Sequence, residues 1–449
     1  MSGLFGTDSA RGLTVTELSC ELAMQAGRAA AELFAKEQGE KIIVAKDGAL
    51  SSAVLEAAVC AGICSSGVDA EIVGEISAAA ASFIVREHKA AAGIMISEAS
   101  GIPGASGIIL LDREGLRLGE EAQLEVEDYI YSTSGERRRF ENIGRMLSSD
   151  TAADEYISHI KTLPAVNLNG IKAAAVCGNS FLKRTVEKLF PGMDAEVSVL
   201  PEQESVSGPD ITPGITGLER LMDFVADGDF SCGFAIEGDG SSCLAVDENG
   251  MPVDGETLLA VIAGFCREKG QLKDNAIVVN IMSSLGLMKF AEENGIKVVT
   301  SGSCGRSVLE RMLEGGYNLG GGQGGHIFLT DYSPCDDGLM CAVKILEIIK
   351  TTGRKLSELA GEMKKLPQIC LNVRISDSGR EVWKNDEAIT GLIEHYEEEL
   401  GSGGRIIVRE SSGNAPFIRV MAEGSNFGRI NEMAMDIAQR IKERCRFYN

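Results

Sequence analysis

The feature that most constrains the fold is a repeated alternation of short apolar runs with longer amphipathic ones. Residues 41–46 (KIIVAK) have the length and β-branched content of a buried strand. SSAVLEAAVCAGICSSG then reads as a helix closed by glycine. AEIVG, SAAAASFIVREH and AAAGIMIS continue as strand, helix and strand. Such a β-α-β-α-β series predicts a mainly parallel sheet covered by helices. The series recurs in IKAAAV, FLKRTVEKLF, AEVSVL, ITGLERLMDFV and CGFAI, and again in AIVVNI, SSLGLMKFAEENG, KVVT and SVLERMLEGG. Beyond the helices of 337–366 the pattern changes. ICLNVRIS, a long helix, GRIIVRE, FIRVMAEG and a closing helix read as a small α+β domain. A chain of 449 residues is also too long for one hydrophobic core. The expected architecture is therefore three similar α/β domains, 1–149, 150–251 and 252–366, and a C-terminal α+β domain, 367–449.

In open α/β sheets, ligands bind beyond the carboxyl ends of the strands. Each repeat carries a polar, glycine-rich loop at that place: ISEASGIPGASG, IEGDGSS and LGGGQGGH. The fourth domain adds VRESSGNAPFIR, and the four loops are expected to converge on one central cleft. In the second loop, Glu237 and Asp239 alternate with glycines, a pattern that can aim oxygens at a hard cation such as Mg²⁺. The alternative is a solvated turn leading into the strand CLAVD. The third loop contains Gly320-x-Gly322-x-x-Gly325, which formally matches a dinucleotide fingerprint. His326, however, leads into the strand-like run IFLT and not into a helix. That loop reads as a glycine turn presenting Gln323 and His326 to the hydroxyls of a sugar, or as a plain turn. In the fourth loop Arg409, Ser411, Ser412, Gly413 and Asn414 suit a phosphate, with Glu410 awkward among them; a hairpin turn is the alternative.

Acidic residues outnumber basic ones by 66 to 43, a net charge of −23 that argues against nucleic acid as a partner. A small phosphorylated ligand stays compatible with it, because a few local arginines and amides suffice. No apolar run reaches the roughly 18–20 residues of a membrane span. The N-terminus also lacks the charged and apolar regions of a signal peptide, so a cytoplasmic location is expected. Twelve scattered cysteines, no C-x-x-C and four histidines predict reduced thiols and no structural zinc. His88, His159 and His395 lie in charged helical stretches and read as solvated. Trp383 reads as packing, and Arg306 lies near a helix start.

With these loops in this order, the chain resembles the α-D-phosphohexomutases from Leu4 to the last helix. LFGTD, ERMLEGGYNLGG and SELAGEMKKLPQICLNVR carry the resemblance outside the loops. The likeness implies four domains around a central cleft and Mg²⁺-assisted transfer of phosphate between sugar O6 and O1 through a phosphoserine. It also implies pairing through the first domain. The loops depart from the family together. Laid without a gap over S-A-S-H-N-P, the second serine becomes Ala99 and the histidine Ser100; a one-residue shift would restore a serine. D-G-D-G-D-R becomes E-G-D-G-S-S, losing a carboxylate at Ser241 and an arginine at Ser242. G-E-Q-S-G-H loses its glutamate and serine at Gly322 and Gly324. R-P-S-G-T-E-P becomes R-E-S-S-G-N-A-P, and the arginine of D-T-R is Ala49. Thr7, Asp8, Arg11 and Gly12 of the opening motif remain.

Alanine has no nucleophilic atom, so covalent transfer through position 99 is impossible. Ser100 lies one residue along, about 3.8 Å, and a misplacement of about 1 Å already costs on the order of 10²-fold. Phosphoryl transfer also leans on metal and arginine charge, both reduced here. The expectation is a pseudo-mutase that has lost efficient activity, binds Mg²⁺ weakly or not at all, and still binds a phosphorylated hexose or hexosamine. Arg11, Arg409, Ser411, Ser412, Gly413, Asn414 and Arg419 would hold the phosphate, and Gln323 and His326 the hydroxyls. Regulation of a partner, by self-pairing or by pairing with an active mutase through domain 1, is a further expectation. The alternative is an active phosphohexomutase with Ser100 as the phosphoserine and Glu237 and Asp239 on Mg²⁺.

Overall fold

The computed structural model describes residues 4, 10–13, 16–98, 105–132, 143–201, 217–302, 304–375, 382–410 and 417–445, with the backbone alone at Arg11. Four sheets organise them. The first contains β1 (Ala10–Leu13), β2 (Lys41–Lys46), β3 (Asp69–Glu75), β4 (Ala92–Glu98), β5 (Ala105–Leu111) and β6 (Met146–Ser148) in the order β1-β5-β4-β2-β3-β6. The second holds β7 (Lys172–Cys177), β8 (Glu196–Val199), β9 (Cys232–Ile236), β10 (Cys243–Asp247) and β11 (Pro252–Val253), ordered β11-β10-β9-β7-β8. The third has β12 (Ala276–Asn280), β13 (Lys297–Ser301), β14 (Leu319–Gly321) and β15 (Ile327–Leu329), ordered β13-β12-β14-β15. The fourth is an antiparallel trio, β16 (Gln368–Arg374), β18 (Phe417–Gly424) and β17 (Gly404–Glu410).

The central strands read as unbroken apolar runs because both faces are covered. Ile42, Ile43, Val44 and Ala45 of β2 are all buried, as are Cys232 to Ile236 of β9. The first three sheets have the expected parallel strands at their centre, and each also carries antiparallel strands beside them. β2 pairs in parallel with β3 and β4, β7 with β8 and β9, and β12 with β13 and β14. Each sheet then gains antiparallel strands: β5 on β4, β10 on β9 and β15 on β14. The reason is loop length. A parallel return needs a crossover of a dozen or more residues, whereas 99–104, 237–242 and 322–326 are short, so each strand turns straight back. The three candidate loops of the repeats are thus hairpin connections.

The chain divides into two compact units, 3–281 with 295–362, and 282–294 with 363–449. In the second unit, one sheet face packs against the helix Phe427–Cys445 through Val373, Val420, Ile406, Ile437 and Ile441. Trp383 is buried in that core, in line with a packing role. All twelve cysteines are free thiols, and only Cys20, Cys304 and Cys370 are not buried. No helix among the described residues is long and apolar enough to cross a membrane. Two of the histidines read as solvated are packed instead. His88 contacts Glu71 at 3.2 Å and Glu155 at 2.9 Å through its two ring nitrogens. His159 stacks on Phe83 at 4.4 Å and bonds the Tyr332 carbonyl at 2.8 Å. Their partners are remote in sequence, which local charge patterning cannot reveal.

Candidate functional site

The loop 237–242 lies between β9 and β10 and is held at every carbonyl of its first four residues. Glu237 O accepts from Gly240 N at 2.9 Å, and Gly238 O from Asn179 Nδ2 at 2.5 Å. Asp239 O accepts from Ala78 N at 3.0 Å, the first residue of the helix Ala78–Glu87. Gly240 O accepts from Gly338 N at 2.9 Å, at the start of the helix Gly338–Thr352. Gly240 has φ +79°, and a Cβ there would lie 2.7 Å from that of Ser77. Only glycine turns the chain here without strain. The two serines that follow are buried and bond the two carboxylates. Ser241 donates N–H and Oγ–H to Asp239 Oδ1 at 2.9 and 2.6 Å. Ser242 Oγ donates to Glu237 Oε2 at 2.8 Å.

The third-domain loop is brought against this one. Ser242 and His326 form an antiparallel bridge, and Cys243 N donates to Gly325 O at 3.1 Å. The loop also rests on the helix Gly255–Glu268, where Gly255 N donates to Gln323 O at 3.1 Å; a Cβ on Gly255 would fall 2.3 Å from Gly322 O. The Gly320-x-Gly322-x-x-Gly325 pattern thus closes the β14–β15 hairpin, as the missing helix predicted. Gln323 is exposed and His326 half-exposed. His326 Nδ1 contacts Asp336 Oδ2 at 2.7 Å. Burial pulls the imidazole pKa down, but the bond to Asp336, its charge, and the charges of Asp239 and Glu237 outweigh this and lift it to about 9. Asp336 was not among the residues singled out from the sequence. The Asp336-Asp337 pair before Gly338 is visible there, but nothing local says that one of them meets a histidine ten residues earlier. Asp337 caps the helix Gly338–Thr352, accepting from Leu339 N and Met340 N at 3.0 Å each and from Tyr156 Oη at 2.9 Å.

In the first domain, β4 and β5 pair without interruption from Gly93↔Leu111 to Glu98↔Ser106. Asp47 anchors the strand end: its Oδ2 accepts from Glu98 N at 2.6 Å, and its Oδ1 from Ala49 N and Ser52 Oγ at 3.1 and 2.5 Å. Ala99 and Ser100 lie outside the described residues, as do Thr7, Asp8 and the side chain of Arg11. Arg306 turns inward and donates to the Leu118 carbonyl of the first domain.

In the second unit, Arg409 and Arg419 are directly opposed across β17 and β18, and Asn372 faces Arg419 from β16. Arg419 Nε donates to Asn372 Oδ1 at 3.1 Å. Glu410 pairs with Lys384 at 2.8 Å, so its charge is already met beside the arginines. Ser411, Ser412, Gly413 and Asn414 lie outside the described residues.

The sequence and the fold have counterparts in known proteins. Residues 2–137, 254–366 and 371–440 match phosphoglucomutase/phosphomannomutase alpha/beta/alpha domain I, alpha/beta/alpha domain III and C-terminal domain. A Clostridium perfringens protein named phosphoglucosamine mutase is 37% identical over 454 residues, covering 99% of this chain and 100% of its own. The chain belongs to the phosphohexomutase superfamily. Within it the sequence is close to the phosphoglucosamine mutases. The fold agrees. A phosphoglucomutase/phosphomannomutase family protein from Burkholderia thailandensis superposes with TM-score 0.81 at 20% identity, covering 98% of each chain. Aspergillus fumigatus N-acetylphosphoglucosamine mutase, solved with GlcNAc-6P and magnesium, has TM-score 0.67 at 13% identity, covering 98% of this chain and 96% of its own. A serine-to-alanine variant of the same Aspergillus protein, solved with glucose 1,6-bisphosphate, has TM-score 0.65 at 12% identity, covering 99% and 96%.

The loop 237–242 offers a hard cation few unengaged oxygens. Mg²⁺ takes about six oxygens in all, from one or two carboxylates, waters and phosphate. Here one oxygen of each carboxylate is engaged by a serine, and the carbonyls of 237–240 all accept hydrogen bonds. Among the described residues no group of three or more His, Cys, Asp or Glu is placed to hold a metal.

Proposed function

We propose that this chain is a phosphosugar-binding member of the superfamily that has lost efficient phosphoryl transfer. The carrying observation is the β4–β5 register. Pairing runs unbroken from Gly93 to Glu98, so Glu98 is a strand residue opposite Ser106 and not an extra bulged one. This is in keeping with the gapless superposition as far as Glu98, and on that superposition Ala99 takes the family's serine position. The closed carboxylate loop points the same way, since transfer would lack the metal as well as the nucleophile. Binding draws support from what the departures spare. Arg409 opposes Arg419 in the sheet, giving two guanidiniums for a phosphate. Gln323 and His326 offer hydrogen bonds to sugar hydroxyls. The relative solved with a serine changed to alanine still holds glucose 1,6-bisphosphate. The four domains and their boundaries at 149, 251 and 366 form part of this reading, as does a phosphorylated hexose or hexosamine as the ligand.

Isothermal titration of the full chain with glucosamine 6-phosphate tests the binding half. Saturable binding is expected, weakened about tenfold or more in R409A, the loss of roughly one charge-assisted phosphate contact. Absence of heat at millimolar ligand would contradict the reading.

A further inference from the structure

The disagreement between the family's metal and this loop carries a further step. We infer that residues 237–242 form a hydroxyl-closed turn that takes no divalent cation, Ser241 and Ser242 standing where coordination would otherwise develop, so that ligand binding by this chain is independent of divalent ions. The observations are geometric. Asp239 Oδ1 receives both the amide and the hydroxyl of Ser241, and Glu237 Oε2 receives the hydroxyl of Ser242. Both serines are 1% exposed, so their hydroxyls are fixed beneath the carboxylates and not free to swing away. The backbone gives no slack, because the four carbonyls from Glu237 to Gly240 are bonded to Gly240 itself, Asn179, Ala78 and Gly338. Two of those partners begin helices, which ties the turn to rigid elements. A small dication demands near-octahedral oxygen geometry. To coordinate through the serine-bonded oxygens it would have to break those contacts and shift an anchored turn, and position 241 offers a hydroxyl in place of a third carboxylate.

The inference goes beyond the phosphosugar reading and is tested with Mn²⁺ alone, so failure of sugar-phosphate binding would leave it standing. The electron paramagnetic resonance signal of free Mn²⁺ reports binding to the full chain directly. A chain of net charge −23 will collect some Mn²⁺ on its surface, so the comparison is between variants. The wild-type and D239N isotherms are expected to coincide. S241D is expected to gain one site at least about tenfold tighter than the surface sites, since it returns a third carboxylate. A wild-type site that D239N removes would overturn the inference. So would a folded S241D that gains nothing, since closure by the serines would then not be what excludes the metal. Should S241D fail to fold, the wild-type and D239N pair decides the question without it. A matched readout is the affinity for glucosamine 6-phosphate in excess EDTA and in millimolar Mg²⁺: equal values are expected, and tightening by Mg²⁺ that D239N abolishes would overturn the claim.

Discussion

At the scale of single residues, two of the candidate loops are held by buried polar partners. Ser241 and Ser242 keep the 237–242 turn closed around its own carboxylates, and His326 keeps a buried anchor in Asp336. That anchor has a pH consequence. The His326 pKa is raised from 6.5 to about 9 in the fold. The stability it contributes is therefore fully present below the unfolded value of 6.5 and is lost as pH rises through about 9. Thermal melts of wild type and H326Q from pH 6 to pH 10 should show a stability gap that narrows across that window. A gap that stays constant would mean that His326 is not held as the imidazolium.

At the scale of elements, the loops 237–242 and 322–326 are hairpins whose backbones are secured by neighbouring helices, and the start of the helix Gly338–Thr352 is one of these anchors. Asp337 receives two backbone amides and the Tyr156 hydroxyl there. Burial pushes its carboxyl up to about 6, so its ionised form carries a cost at neutral pH. D337A should destabilise the chain by about 2–4 kcal/mol, a lost cap plus an unsatisfied Tyr156. D337N, which still caps and carries no buried charge, should cost about 1 kcal/mol or less. Urea unfolding distinguishes them, and equal losses would contradict the capping role. Much at this scale was legible in the sequence. KIIVAK, CGFAI and GRIIVRE are strands with the bounds read for them, because two-sided burial or clear alternation writes itself into local composition. The return strand β5 is not so legible, since its first three residues, ASG, close the glycine-rich stretch that reads as loop. Asp336, and the packed states of His88 and His159, escaped notice because each depends on a partner brought up by the tertiary fold.

At the scale of the whole molecule, the chain combines family membership across its length with loops that, in the function proposed above, depart from the family at the nucleophile, metal and sugar positions together. Relatedness at 37% identity to a phosphoglucosamine mutase accounts for the four sheets. The departures concern chemistry, and they are the part a fold comparison does not weigh. The measurement that bears most directly on them is intact mass with peptide mapping, after incubation with Mg²⁺ and glucosamine 1,6-bisphosphate or glucose 1,6-bisphosphate, beside an active mutase as control. An unmodified chain is expected while the control takes up phosphate. Stoichiometric phosphate on Ser100 would contradict it, and would mean that the nucleophile has moved by one residue in a working phosphohexomutase.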